Sequence, residues 1–245
     1  MSRGFRCKQF TVEQDKCAMK VNTDSMILGS WAEPGNSAHI LDIGTGTGIL
    51  ALMMAQKSVS DAVVTAVELD GDACSQAADN FAASPWSSRM NLISGDISEV
   101  ALPASADCII TNPPYFDAVD HRSEAYTSLT PARAAARLEN SLLPQTLMAV
   151  VKRQLSDCGM FYCVYPASRE EMVIQSAEHA GLGLLGRLSV RSGADREPYL
   201  TAFKFTHLQM CTKNAQSTED LVIRETTGEY TSAFRHLCRE FYLKF

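Results

Sequence analysis

"HILDIGTGTGIL", His39 to Leu50, decides the fold of this 245-residue chain. Its first five residues form a short apolar strand that ends in Gly44, Gly46 and Gly48. "GILALMMAQKS" (Gly48–Ser58) follows and is apolar nearly all round, as a buried helix requires. A strand leading through a glycine turn into a buried helix opens a parallel sheet covered on both faces.

The pattern continues outward. "AVVTAVEL" (Ala62–Leu69) reads as a β-branched strand, and "DACSQAADNFAAS" (Asp72–Ser84) places Ala73, Ala77 and Phe81 on one helical stripe. "MNLIS" (Met90–Ser94), "DCIIT" (Asp107–Thr111) and "GMFYCVYP" (Gly159–Pro166) read as strands. Helices are expected over Ala132–Leu155, Arg169–Ala180 and Tyr230–Phe241. Strand-like "LLGRLSV" (Leu184–Val190), "YLTAFKF" (Tyr199–Phe205) and "LVIR" (Leu221–Arg224) complete the order. Alternation of this kind predicts an α/β fold with a mostly parallel sheet, whose ligands bind beyond the carboxyl ends of the strands. The glycine loop and the turn after Thr111 then share one rim.

Composition excludes several classes. No apolar run approaches the ~20 residues a membrane helix needs, and "MSRGFRCKQF" lacks the apolar stretch of a secretory signal. Eight cysteines without a CxxC pair read as reduced, buried thiols of a cytoplasmic protein, with no zinc site. The net charge of −6 argues against wholesale electrostatic binding to nucleic acid. Its distribution is uneven. Residues 1–20 and 187–213 each carry a surplus of +3 and residues 233–245 one of +2, leaving −14 on the remainder. Solvated faces are the ordinary explanation, and a basic RNA footprint is the testable one.

The glycine loop does not suit a phosphate. Asp42, two residues before Gly44, puts a carboxylate at the loop mouth, which favours a cationic ligand. S-adenosylmethionine carries an ammonium and a sulfonium and no phosphate. Glu68 ends the second strand and suits ribose hydroxyls, as an acid does there in nucleotide-binding folds. Asp96, after the third strand, would accept from an adenine amino group. Each acid alone reads as a solvated loop residue; three at consecutive strand ends beside Gly44 and Gly46 read as a cofactor site.

"TNPPY" (Thr111–Tyr115) ends the fourth strand in a rigid turn. An amine on an aromatic ring or acyl carbon is a poor nucleophile because its lone pair is delocalised. The Asn112 side-chain oxygen and the Pro113 carbonyl would accept its two N–H bonds and favour a pyramidal nitrogen. The prolines hold those acceptors in place beforehand. Tyr115 offers a face on which a base stacks, worth ~1–3 kcal/mol.

"LDIGTGTG", "VELD", "GDI" and "NPPY" resemble the motifs of class I S-adenosylmethionine-dependent amino-methyltransferases. "KQFTVEQDKCAMKVNTDSMILGSWA" (Lys8–Ala32), "SPW" (Ser84–Trp86), "NPPYF", "LVIR" and "FYLKF" are similar to the bacterial tRNA(Val) (adenine-37-N6)-methyltransferases. The resemblance implies a Rossmann-like seven-stranded sheet in a single domain spanning 1–245. Residues 1–36 would be an extension contributing to cofactor and RNA binding. It also implies S-adenosylmethionine as cofactor and the anticodon loop of a tRNA as partner, with a monomer expected. The family brings Thr23 and Asp24 to the methionine end of the cofactor; capping of a helix over Ser25–Trp31 is the other role open to them. Between Asp117 and Ala180 the resemblance is looser.

Rival acceptors for the same chemistry are guanine-N2 of ribosomal RNA and a protein glutamine amide. A nicotinamide dehydrogenase would use the glycines and Glu68 but has no use for the NPPY turn, and Ile49 stands where its fingerprint prefers a small residue. A non-catalytic tRNA-binding protein would have no need of Asp42, Glu68 and Asn112 together.

Overall fold

A computed structural model describes residues 4–17, 19–114, 143–211 and 216–245. Two short strands, β1 (Phe5–Arg6) and β2 (Thr11–Val12), pair antiparallel, and α1 (Thr23–Trp31) follows. Then come β3 (His39–Ile43), α2 (Ile49–Lys57), β4 (Val63–Glu68), α3 (Gly71–Ala82), β5 (Met90–Ser94) and β6 (Ala106–Thr111). After the turn the chain forms α4 (Pro144–Gln154), β7 (Leu155–Pro166), α5 (Glu170–His179), β8 (Leu182–Gly193), β9 (Leu200–His207), β10 (Ser217–Arg224) and α6 (Ser232–Cys238).

The main sheet has the order β5-β4-β3-β6-β7-β9-β8-β10. Among the described strands of this sheet only β9 runs against its neighbours; it returns antiparallel between β7 and β8. Among the described residues the count is eight, not seven. β10 adds parallel to the edge of β8, with only Leu221 and Ile223 buried and its first four residues exposed. That alternation is the signature of an edge strand covered on one face.

Side chains alternate across the sheet. Ile40, Val64, Ile110 and Tyr162 meet one apolar layer, shared with α1, α2, α3 and α6. Leu41, Ile43, Val67, Ile109 and Phe161 meet the other, shared with α4 and α5. Burial on both faces explains why these strands read as continuous apolar runs.

Several expected boundaries move. α6 is shorter than Tyr230–Phe241, and the described part of the helix expected over Ala132–Leu155 is α4, since residues 115–142 lie outside the described set. Leu155 already belongs to β7. Cys7, Cys17, Cys108, Cys163 and Cys238 are buried free thiols, but Cys158 is exposed. No helix among the described residues is long and apolar enough to cross a membrane.

Candidate active site

Register sets the site. Asp42 pairs with Ala66 of β4 on one side and with Ile110 of β6 on the other. β3 ends at Ile43 and β6 at Thr111, so Gly44 and Asn112 follow directly at neighbouring strand ends, and Glu68 is the last residue of β4. β5 pairs Ser94 with Glu68, so Asp96 begins the next loop on the same rim. The structure therefore brings together Asp42, Gly44, Gly46, Glu68, Asp96 and Asn112.

Asp42 is not at the loop mouth but beneath it, with no solvent exposure. It sits on the strand face that meets α2, and Gly48, the residue before that helix, has no side chain to cap it. Asp42 Oδ2 takes that role, accepting from Ala51 N at 3.1 Å and from Thr45 Oγ1 at 2.5 Å. Oδ1 is buried and has no partner among the described residues. Burial pushes this carboxyl up to about 7; the bonds from Thr45 and Ala51 oppose that, and the Glu68 charge adds to it.

The three glycines divide into two jobs. All have positive φ, 68° at Gly44, 55° at Gly46 and 86° at Gly48. A Cβ on Gly44 or Gly46 would meet nothing within 4 Å, so both border open space, whereas one on Gly48 would lie 2.5 Å from Phe81 Cε1. Glu68 clasps the loop: Oε2 accepts from Gly46 N at 2.7 Å and Oε1 from Asp70 N at 2.9 Å. Each oxygen keeps one lone pair for a further donor. Asp96 Oδ1 accepts from Ser98 N at 2.8 Å and Ser98 Oγ at 2.7 Å, and these bonds hold its carboxyl below the usual range. It stays an anionic acceptor at neutral pH.

On the other side of Gly44, Asn112 Nδ2 donates to Ser25 Oγ at 3.0 Å. Pro113 is buried and Pro114 exposed; Tyr115 lies outside the described residues. Neither Thr23 nor Asp24 caps α1. The helix starts earlier than Ser25, and Asn22 is its cap, accepting from Ser25 N at 2.9 Å. Thr23 and Asp24 occupy the first turn. Asp24 Oδ1 accepts from Tyr199 Oη at 3.1 Å, while burial raises its carboxyl despite that bond.

The donor set fits a cationic nucleoside cofactor. Asp42 Oδ1 lacks a partner among the described residues, two glycines border open space, and Glu68 and Asp96 retain acceptor capacity. Known proteins give the same answer. The methyltransferase small domain family model matches residues 17–161. A tRNA1(Val) (adenine(37)-N6)-methyltransferase of Aeromonas salmonicida is 38% identical over 98% of this chain and 98% of its own. Its namesake in Tolumonas auensis is 40% identical over 98% and 97%. This chain belongs to the tRNA1(Val) (adenine(37)-N6)-methyltransferase family. A predicted O-methyltransferase from Agrobacterium tumefaciens shares the fold, with a TM-score of 0.60 at 17% identity over 89% of this chain and 96% of that one.

The methyltransferase uses S-adenosylmethionine, which supplies an activated methyl group when bound. Three features of its site were not expected from sequence. Asn80, buried in α3, accepts from Glu13 N at 2.9 Å and donates to Glu13 O at 2.9 Å and to Thr47 O at 2.8 Å. It thereby ties the N-terminal segment to the glycine loop. Tyr199 reaches Asp24 from the start of β9. Ser25 joins Asn22 to Asn112. Polar residues inside otherwise apolar helical stripes are the available signal for Asn80 and Ser25; Tyr199 has none.

Proposed function

We propose that this methyltransferase transfers a methyl group to N6 of adenine 37, beside the anticodon of a valine tRNA. The observation that supports the reading is that Asn112 follows directly on β6, the neighbour of β3, while β3 runs into Gly44 and its other neighbour β4 ends in Glu68, so that an amine held at Asn112 lies beside the cofactor cradle. Asp42 and Asp24 favour the cationic methionine end. Glu68 and Asp96 suit the ribose hydroxyls and the adenine amino group. The Asn112 side-chain oxygen and the Pro113 carbonyl accept the two N–H bonds of the substrate amine, which frees the nitrogen lone pair for in-line attack. Fixing that geometry can supply ~7–11 kcal/mol of the barrier reduction. The base stacks on Tyr115, which lies outside the described residues.

An anticodon-loop base is already partly unstacked, so turning it into a pocket costs less than in a duplex. The N-terminal segment to residue 36 contributes to both sites: Asn80 fixes it against the glycine loop, and Arg6 and Lys20 are exposed for RNA. A monomer in the cytoplasm is consistent with this role. The test treats bulk tRNA, ribosomal RNA and a release factor separately with enzyme and methyl-labelled cofactor. Mass spectrometry of the digests should find N6-methyladenosine in valine tRNA. Label on guanine-N2 or on a glutamine amide, with none in tRNA, would overturn the reading.

A further inference from the structure

We infer that Asn22 and Ser25 form a relay that decides which edge of the Asn112 carboxamide faces the substrate. The inference rests on the role proposed above for Asn112. It follows from counting donors. Ser25 N can only donate, so the Asn22 atom 2.9 Å away is the oxygen Oδ1. Ser25 Oγ lies 2.9 Å from that same oxygen. Two oxygens at this distance need a proton between them, and Ser25 Oγ–H is the one available. With its only proton committed, Ser25 Oγ can only accept at 3.0 Å from Asn112, so the facing atom is the NH₂ group. The oxygen of Asn112 is then the edge turned away from α1.

The consequence is chemical. A carboxamide is nearly symmetric in shape, and flipping it exchanges acceptor for donor. A flipped Asn112 would set N–H against the N–H of the substrate amine and lose the acceptor that the reaction needs. Ser25 is a positioning residue, and Asn22 positions Ser25. Asn22 caps α1 and Ser25 lies in its first turn, on the segment that precedes the glycine loop. The relay couples the N-terminal extension to the reacting nitrogen without either residue touching substrate.

The experiment uses the full chain and an anticodon stem-loop. Ser25→Ala removes the acceptor for the Asn112 NH₂, and turnover at saturating cofactor should fall by ~3–10-fold, the loss of one neutral hydrogen bond. Cofactor affinity and melting temperature should hardly move. Asn22→Asp keeps the Oδ1 acceptor that Ser25 uses for both bonds and should retain turnover, whereas Asn22→Ala should lose it as Ser25→Ala does. In an Asn112→Ala background, Ser25→Ala should add no further loss. The side-chain NH₂ resonance of Asn112, identified by its absence in Asn112→Ala, should shift in Ser25→Ala and stay in Asn22→Asp.

An unmoved resonance, or a full additional loss in the Asn112→Ala background, would overturn the relay. The resonance decides this whatever the activity of Asn112→Ala. That single variant instead decides the role of Asn112: normal turnover there removes the amine-holding reading and leaves the measured orientation standing.

Discussion

Glu68 Oε2 lies 2.7 Å from Gly46 N, so the acid expected at the cofactor ribose also holds the glycine loop in shape. Its other oxygen reaches Asp70 N, which begins the capping of α3. One side chain thus fixes two loops and still offers two lone pairs outward. Glu68→Ala should therefore damage binding both by removing contacts and by releasing the loop. Calorimetry with S-adenosylmethionine and its demethylated product should show a loss of ~1.5–3 kcal/mol for each, the range for a charged hydrogen bond. Glu68→Gln retains one acceptor and should fall between. Unchanged affinity in Glu68→Ala would remove Glu68 from the site.

Asp42 should make cofactor binding depend on pH. Its folded value is raised from the ordinary 3.8 to about 7, so between those values the folded protein holds more protons than the unfolded one. Stability contributed by the neutral carboxyl is fully present below pH 3.8 and is lost as pH rises through about 7. A cation beside Oδ1 favours the charged form, so binding expels a proton near neutrality. Affinity should rise with pH below about 7, by up to ~10-fold per unit, the one-proton limit, and level off above it. Asp42→Asn should flatten both the affinity profile and the decline in melting temperature. A pH-independent affinity in the native protein would show that Asp42 does not meet the cofactor's charge.

Two glycine variants separate ligand space from packing. Alanine at Gly46 or Gly48 must adopt positive φ, at about 1–2 kcal/mol each. At Gly46 the added Cβ enters open space, so the larger effect should be lost cofactor affinity. At Gly48 it drives into Phe81, and overpacking adds about 1–3 kcal/mol to the destabilisation. Thermal melts and calorimetry should rank the two variants in opposite order. Equal rankings would mean that Gly46 does not border the cofactor.

The basic ends of the chain, the testable RNA footprint, also make contacts within the fold. Lys8 Nζ donates to the carbonyl oxygens of Arg239 at 2.5 Å and Phe245 at 2.7 Å, and Cys7 bridges Tyr242, so the two basic ends lie together. Lys16 pairs with Asp79 at 2.7 Å. Charge reversal at Lys8 should therefore lower stability as well as RNA affinity. Arg6→Glu, on an exposed side chain, should weaken tRNA binding alone and reduce the salt slope by about one. An Arg6→Glu enzyme with unaltered affinity and salt slope would move the docking face elsewhere.

What sequence made legible follows from range. Strands β3 to β9 were readable because each is a short apolar run bounded by turn residues, and the acids at their ends inherit position from strand order. Asp42 lies beneath the loop mouth expected for it, because nothing local tells that a strand residue turns under α2 to meet Ala51 N. Asn22 lost the capping role to Thr23 and Asp24 in the sequence reading because all three are good caps, and one residue of register decides among them. The contacts that could not be read join distant parts of the chain. Tyr199 meets Asp24 across 175 residues, and Asn80 meets Glu13 across 67.

The Asn112 carboxamide gives the sharpest test of the chemistry. In the role proposed for it, removing its oxygen deletes an acceptor for the substrate amine while Asp42, Glu68 and Asp96 remain. If the loss resembles that of one preorganised oxyanion donor, Asn112→Ala should lower turnover by ~10²–10³-fold with cofactor binding nearly intact. Substrate variants check the partner of that acceptor. An anticodon stem-loop carrying inosine in place of the target adenine has no exocyclic amine and should not be methylated. One carrying guanine keeps an amine, but at a different ring position, out of line with Asn112 and Pro113, and should react poorly. Equal methylation of the adenine and guanine stem-loops would mean that Asn112 holds no N6 amine, and normal turnover in Asn112→Ala would mean that the amine is held by another group.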